Sequence, residues 1–173
     1  MSELRVKVWT IDHRVGTFFG AESQRGLCAL GIPVHSGRDF ALLLDRRAPG
    51  AEPLSVEADE TESGRQLLAW LGGKSTTLDA PLDLTGLTDF TVAVLQAVAA
   101  IPFGQTRTYG SIARQVGRPG AARAVGQVMH RNPVPLFVPC HRVLGAGGDL
   151  CGFGAGLPMK RALLEMERGG RLL

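Results

Sequence analysis

The sequence predicts two small domains: an α/β domain over residues 1–84, built on a small antiparallel sheet with helices, and a mainly α domain over residues 85–173 with a winged helix-turn-helix-like motif. Three observations lead there. Short apolar bursts separated by turn residues fill positions 4–32, as strands joined by tight turns require. From Phe90 onward the apolar spacing becomes helical and is broken by turns bearing glycine and proline. The charge also changes sign between the halves: residues 1–86 carry 9 Lys and Arg against 12 Asp and Glu, residues 87–173 carry 10 against 4.

In chain order, Val6 and Val8, then Val15–Phe19, then Leu27–Ile32 read as strands, joined through Asp12-His13-Arg14 and Glu22–Gly26. Arg38–Arg47, apolar in its middle, reads as a helix. Ala48–Glu60, with two prolines and four acids, reads as a loop. Thr61–Leu71 sets its leucines and Trp70 at helical spacing, and Gly72-Gly73 stops it. Leu78–Leu84 is one more candidate strand, and the stretch from Leu78 to Thr88 is the expected linker. His13, His35 and Cys28 fit no zinc spacing, and a zinc site normally wants four ligands. No metal and no cofactor is expected.

In the second half, Phe90–Ala100 repeats apolar residues at Val94, Leu95 and Val98, and Pro102 and Gly104 end the helix. Thr108 can cap a short helix whose inner face holds Ile112, Ala113 and Val116, and Gly117 closes it. The turn Arg118-Pro119-Gly120 leads into a second short helix, AARAVGQVMHR. Helix, glycine-bearing turn and helix make a helix-turn-helix pattern. Ala121, Ala122, Ala124 and Gly126 surround Arg123, so one long cation rises from a surface almost free of side chains. Between Asp89 and Asp149 there is no acidic residue while six arginines occur, which points to a polyanionic partner, nucleic acid being the common one.

The stretch Asn132 to Val143, NPVPLFVPCHRV, carries the chemistry. Pro139 should end any strand through Leu136-Phe137-Val138 and release Cys140-His141-Arg142 into a turn. A histidine and an arginine beside a thiol form the electropositive setting that lowers its pKa. A glycine-rich loop follows over residues 145–156; it lacks the spacing of a dinucleotide loop and suits close approach to a flat ligand. Pro158 then starts a last helix, Met159–Arg168, with a stripe of Met159, Leu163 and Leu164. Glu167 lies one turn beyond both leucines, on or beside the buried face and at the helix end where the dipole disfavours an anion. Such a carboxylate needs a partner, and a histidine is the natural one. Cys140, His141 and Glu167 thus have the residue types of a thiol, a base and an orienting acid. Neighbours in an extended chain point apart, so His141 is expected to reach the thiol through a turn or a bridging water.

Composition sets the remaining bounds. At 173 residues, 45% hydrophobic and 20% charged, the chain reads as an ordinary globular protein. Three cysteines without paired spacing make no disulfide framework, and neither a signal core nor a membrane-length apolar run is present. The expected compartment is the cytoplasm, where a free thiol stays reduced.

Taken together, PCHRV preceded by ARAVG and NPVP, followed by the glycine-rich loop and the helix bearing Glu167, resembles the O(6)-alkylguanine-DNA alkyltransferases. The likeness runs from Phe90 to Glu167 and extends weakly to RGLCAL in the first half. It implies direct-reversal DNA repair: a single-turnover methylated-DNA cysteine S-methyltransferase that moves an alkyl group from guanine oxygen 6, with thymine oxygen 4 as a further donor, to Cys140. Flipping of the base is implied because the alkylated oxygen is hidden in the duplex. His141 would act as base through water and Glu167 would orient it, while Asn132 would brace the turn. Tyr109, Met129, Val143, Phe153 and Gly154 would form the substrate pocket, with Tyr109 donating to the departing guanine. Arg123 would fill the vacated stack, and Ala121, Ala122, Gly126 and Tyr109 would face DNA bound from the minor groove. The implied partner is duplex DNA with alkylated guanine, met by a monomer; cooperative binding along DNA is left open, and no membrane partner is expected.

The family often has tyrosine and serine where this chain has Phe153 and Gly154, which bears on bulky adducts. It also lacks the full zinc ligand set of some relatives, and no cysteine-rich sensor domain is expected. Three rival readings remain distinct: a lesion-binding relative without catalysis, against which Cys140 itself argues; a DNA-binding regulator, which would not need Tyr109, Asn132 and Met129; and a thiol hydrolase, which would turn over.

Overall fold

A computed structural model describes residues 5–33 and 35–169. The chain divides into two compact units, Met1–Gly86 with Pro133–Phe137, and Leu87–Asn132 with Val138–Leu173. The segment before the cysteine therefore groups with the first unit, where the Leu30 amide donates to the Pro133 carbonyl at 2.8 Å.

The first unit is built on a four-stranded sheet in the order β3-β2-β1-β4, from β1 (Arg5–His13), β2 (Gly16–Ser23), β3 (Gly26–Gly31) and β4 (Glu52–Ser55). The first three strands are antiparallel, as the alternation predicts. β4 runs parallel to β1, pairing Arg5 with Glu52 and Val8 with Ser55, so the sheet is mixed. This strand lies in the stretch read as loop: Pro53 is tolerated because β4 is an edge, and all four of its residues are exposed. Successive strand residues face opposite ways. Val6 and Val8 pack with Phe40, Leu43 and Leu44 of α1 (Gly37–Arg47), while Trp9 and Ile11 are buried on the other face. Trp9 lies over Gly20, where an added Cβ would sit 2.0 Å from its ring; only glycine leaves that room. A capping box between Ser36 and Asp39 starts α1. Thr61 caps α2 (Glu62–Leu71), whose inner face holds Leu67, Trp70 and Leu71. Leu78–Leu84 contributes no strand, only a single bridge from Leu82 to Leu27.

The second unit is mainly helical: α3 (Asp89–Ala99), α4 (Tyr109–Gln115), α5 (Ala122–His130) and α6 (Leu157–Glu167). Val94, Leu95 and Val98 of α3 meet Ile112 and Ala113 of α4 and Val125 and Val128 of α5 in the interior. Thr108 and Ser111 form a capping box at the start of α4, and Gly117 has the positive φ of a helix stop. The turn 118–121 then redirects the chain into α5, which completes the helix-turn-helix. β5 (Arg107–Thr108) pairs in parallel with β6 (Val143–Leu144). This short ladder ties the entry of α4 to the chain that leaves the cysteine.

Candidate active site

The chain before Cys140 is no strand. Leu136 is the one non-glycine residue with positive φ among the described residues, at 73°, and it turns the segment. Cys140–Arg142 form a single 3-10 turn in which the Cys140 amide donates to the Val138 carbonyl at 2.7 Å and the Arg142 amide to Pro139 at 2.8 Å. The Asn132 amide donates to the same Val138 carbonyl at 2.9 Å. Asn132 thereby braces the turn from six residues upstream. All three residues of the turn are buried, Cys140 at 6% exposure and His141 at 1%.

Glu167 finds its partner. His141 Nε2 lies 2.7 Å from Glu167 Oε1, between side chains each 1% exposed. Arg142, whose partner the sequence did not reveal, grips the same carboxylate: its Nε donates to both oxygens at 3.0 and 2.9 Å, and a terminal nitrogen to Oε1 at 2.8 Å. The Gly104 amide adds a bond to Oε2 at 3.0 Å, and the other Arg142 nitrogen donates to the Ile101 carbonyl at 2.6 Å. Hydrogen bonds from His141 and Arg142 outweigh burial and hold the Glu167 carboxyl down at about 2. Burial lowers the His141 pKa despite Glu167, so the imidazole is neutral. An ionised Glu167 can only accept, which places the single imidazole proton on Nε2 and leaves Nδ1 as a bare acceptor. Nδ1 is buried and has no protein partner among the described residues.

One expectation is corrected. The thiol pKa is raised, not lowered, because burial dominates; a hydrogen bond from Asn132 and the charge of Lys160 pull the other way. The neighbouring Arg142 does not activate the thiol because its charge is spent on Glu167. Cys140 at rest is therefore a protonated thiol that needs a base.

Lys160 was also missed. The buried stripe of α6 is Lys160, Leu163, Leu164 and Glu167, while Met159 is only half-buried. The signal was present, since 160, 163, 164 and 167 follow the i, i+3, i+4, i+7 spacing. A lysine simply reads as solvent-facing.

Beside these groups, a groove of about 760 Å³ runs along α4, α5 and the glycine-rich loop, lined by Tyr109, Arg114, Ala122, Arg123, Gly126 and Cys151 among others. Tyr109 is half-buried, and its phenol is pushed up to about 12, by burial first and then by the Cys151 and Cys140 thiols. Arg123 is exposed, and Gly126 opens the helix surface opposite Tyr109. Ala121 precedes α5 as its N-cap without a side-chain bond. Met129 is buried, Phe153 half-buried and Gly154 exposed; none of the three is on the groove wall, nor is Cys140. The Val143 carbonyl accepts from Lys160 at 2.7 Å. Among the described residues no cluster of His, Cys, Asp or Glu could hold a metal ion, and no helix is long and apolar enough to cross a membrane.

Fold and site together define a helix-turn-helix protein with a buried thiol set next to an imidazole bound to a carboxylate. The chain belongs to the O6-methylguanine-DNA methyltransferase family. Residues 89–169 match the family described as 6-O-methylguanine DNA methyltransferase, DNA binding domain. Methylated-DNA--protein-cysteine methyltransferases of Mycobacterium tuberculosis and Methanosarcina acetivorans are 54% identical over 103 residues and 47% over 114. These matches cover 60% and 65% of this chain, and 62% and 72% of the relatives. The chain thus spans about three-fifths of the length of the mycobacterial relatives. The crystal structure of the M. tuberculosis O6-methylguanine methyltransferase superposes with a TM-score of 0.76 and 39% identity, over 95% of this chain and 93% of that one. A further structure, of the M. tuberculosis protein in complex with DNA, gives the same TM-score at 40% identity over 95% and 94%.

Proposed function

We propose that this protein repairs DNA by direct reversal, moving an alkyl group from oxygen 6 of guanine, with thymine oxygen 4 as a second donor, irreversibly to Cys140. The observation that carries this reading is the buried His141–Glu167 contact of 2.7 Å directly after a buried cysteine. Glu167 fixes the imidazole with Nδ1 free to accept. His141 takes the thiol proton at Nδ1 through a bridging water, and Sγ attacks the alkyl carbon. The bond from that carbon to the guanine oxygen breaks, its electron pair stays on the base, and Tyr109 donates to the departing guanine. A phenol whose pKa lies near 12 stays protonated at neutral pH and is suited to donate. The product is a thioether, which water does not cleave, so each molecule acts once.

Duplex DNA containing alkylated guanine is the proposed partner, bound from the minor groove by a monomer in the cytoplasm. Small residues at Ala121, Ala122 and Gly126 permit close approach, and Arg123 enters the stack where the base has left. Asn132 braces the turn, Met129, Phe153 and Gly154 shape the pocket, and Val143 contacts the base through its backbone, its carbonyl keeping one lone pair beyond the Lys160 bond. The division of labour follows the domain reading, with residues 85–173 carrying DNA binding and transfer.

The test is to mix the protein with duplex DNA bearing one O6-methylguanine and weigh the intact protein and its peptides. One methyl on the Cys140 peptide, an end point of one per molecule, and no gain in Cys140→Ser are expected. Repeated turnover, or binding without mass gain, would sink the reading.

A further inference from the structure

Lys160 is fully buried at 0% exposure, and among the described residues no carboxylate lies within ion-pair distance of its ammonium. Its two hydrogen bonds go to backbone carbonyls, Val143 at 2.7 Å and Cys151 at 2.9 Å, and its third side faces the Tyr109 ring at 5.9 Å from the centroid. Carbonyl dipoles and a ring face solvate an ammonium without neutralising it. The buried charged groups of this unit are Lys160 and Arg142 against Glu167. Arg142 and Glu167 pair with each other and His141 is neutral, so one positive charge is left over inside the protein. A methionine would fill the same space without the desolvation cost of a buried cation, which makes the charge itself the feature to explain.

We infer that Lys160 is the positioning and charge-compensating residue of this site: its ammonium pins the carbonyls of Val143 and Cys151 and is the counter-ion of the Cys140 thiolate. This rests on the proposed role of Cys140 as acceptor and deepens it. The groups that bear on the thiol are His141 and Arg142 from its own turn, Lys160 and Glu167 from α6, Tyr109 from α4 and Cys151 from the loop. Of these, Arg142 and Glu167 cancel, and Tyr109 and Cys151 are neutral. When His141 takes the thiol proton, Glu167 faces the new imidazolium, and Lys160 is the remaining cation for the sulfur. The resting interior, one charge in excess, becomes balanced as the thiolate forms. Lys160 lowers the thiol pKa and Cys140 raises that of Lys160, as a coupled pair must. The same ammonium joins the chain leaving the cysteine to the glycine-rich loop, so charge and loop position are set by one side chain.

The experiment follows the pH dependence of Cys140 alkylation by iodoacetamide, read on the Cys140 peptide so that Cys151 does not contribute. Lys160→Met should move the midpoint up by one unit or more, about a tenfold loss of rate on the acid side. Lys160→Arg, which keeps the charge, should stay close to wild type. An unchanged midpoint in Lys160→Met would overturn the inference. Should Lys160→Met not fold, the Lys160 side-chain titration followed by carbon-13 NMR in wild type and Cys140→Ser decides. The lysine midpoint must fall in Cys140→Ser, and equal midpoints would refute the coupling. Neither readout uses alkylated DNA, so failure here is separate from failure of the proposed repair reaction.

Discussion

Cys28 and Cys140 are both buried thiols, one in each unit, and their surroundings differ in kind. Cys28 sits among Val6, Ala21, Ala29, Phe40 and Ala48, donates to the Ala21 carbonyl at 3.2 Å, and is pushed up to about 11, by burial first and then by Asp83. Cys140 pays the same desolvation, yet Asn132 and Lys160 act against it and a neutral imidazole follows it in the chain. The contrast extends to the units. The buried polar residues of the first are Thr61 and Ser63, at the start of α2; those of the second are His141, Arg142, Lys160 and Glu167. Burial alone makes a thiol inert, and only the second unit accepts the cost of charges inside. A buried cysteine is informative through its neighbours rather than its exposure.

The largest way to break the comparison is to exchange the roles of the two thiols. Cys140→Ser should abolish methyl uptake from alkylated duplex DNA, whereas Cys28→Ser should keep the full stoichiometry and lose only about 1–3 kcal/mol of stability, measured by denaturant unfolding. Uptake lost equally in both would erase the distinction. Next in size, Glu167→Gln leaves Arg142 buried without its anion and should cost about 3–5 kcal/mol, read as a fall in Tm. This effect has a pH signature. The Glu167 pKa is depressed from 4.5 to about 2, so its contribution is complete above 4.5 and is lost as pH falls toward 2. The difference between wild type and Glu167→Gln should therefore shrink across that window; a constant difference would contradict the ion-pair account. Arg123→Ala should reduce transfer from duplex DNA about ten- to a hundredfold, the scale of a few kcal/mol for an unstacked base, and leave transfer from a free alkylated base nearly unchanged. Equal losses on both substrates would refute insertion. Smallest, Thr108→Ala removes the cap of α4 and should cost about 1 kcal/mol, as should Ser36→Ala at α1 in the first unit.

Much of the fold was legible because local signals agreed with the tertiary answer. The start of α2 at Thr61, the stop at Gly72-Gly73 and the Thr108 cap of α4 all lie where capping chemistry puts them. β4 was not legible, because an exposed edge strand with Pro53 lacks both alternation and burial. Leu78–Leu84 failed in the opposite sense: its spacing suits a strand, but only Leu82 pairs. At the site, Glu167 could be read from its place beside two leucines. The reach of Arg142 to Glu167, 25 residues away, could not, since nothing local distinguishes a solvated arginine from a buried one. Reading Arg142 as an activator of the adjacent thiol followed from sequence proximity, and the geometry reassigns that charge.

The grouping of Pro133–Phe137 with the first unit bears on how this protein could be cut or rebuilt. Val134, Leu136 and Phe137 are each at most 5% exposed. A fragment beginning at Leu87 would carry those three side chains without the strands they accompany, and covering them again is worth about 1.5–3 kcal/mol apiece. The chain is therefore not two modules in series. Its reactive half is stitched through the other, and a stand-alone version would need those three positions redesigned for water before the domain could be expressed by itself.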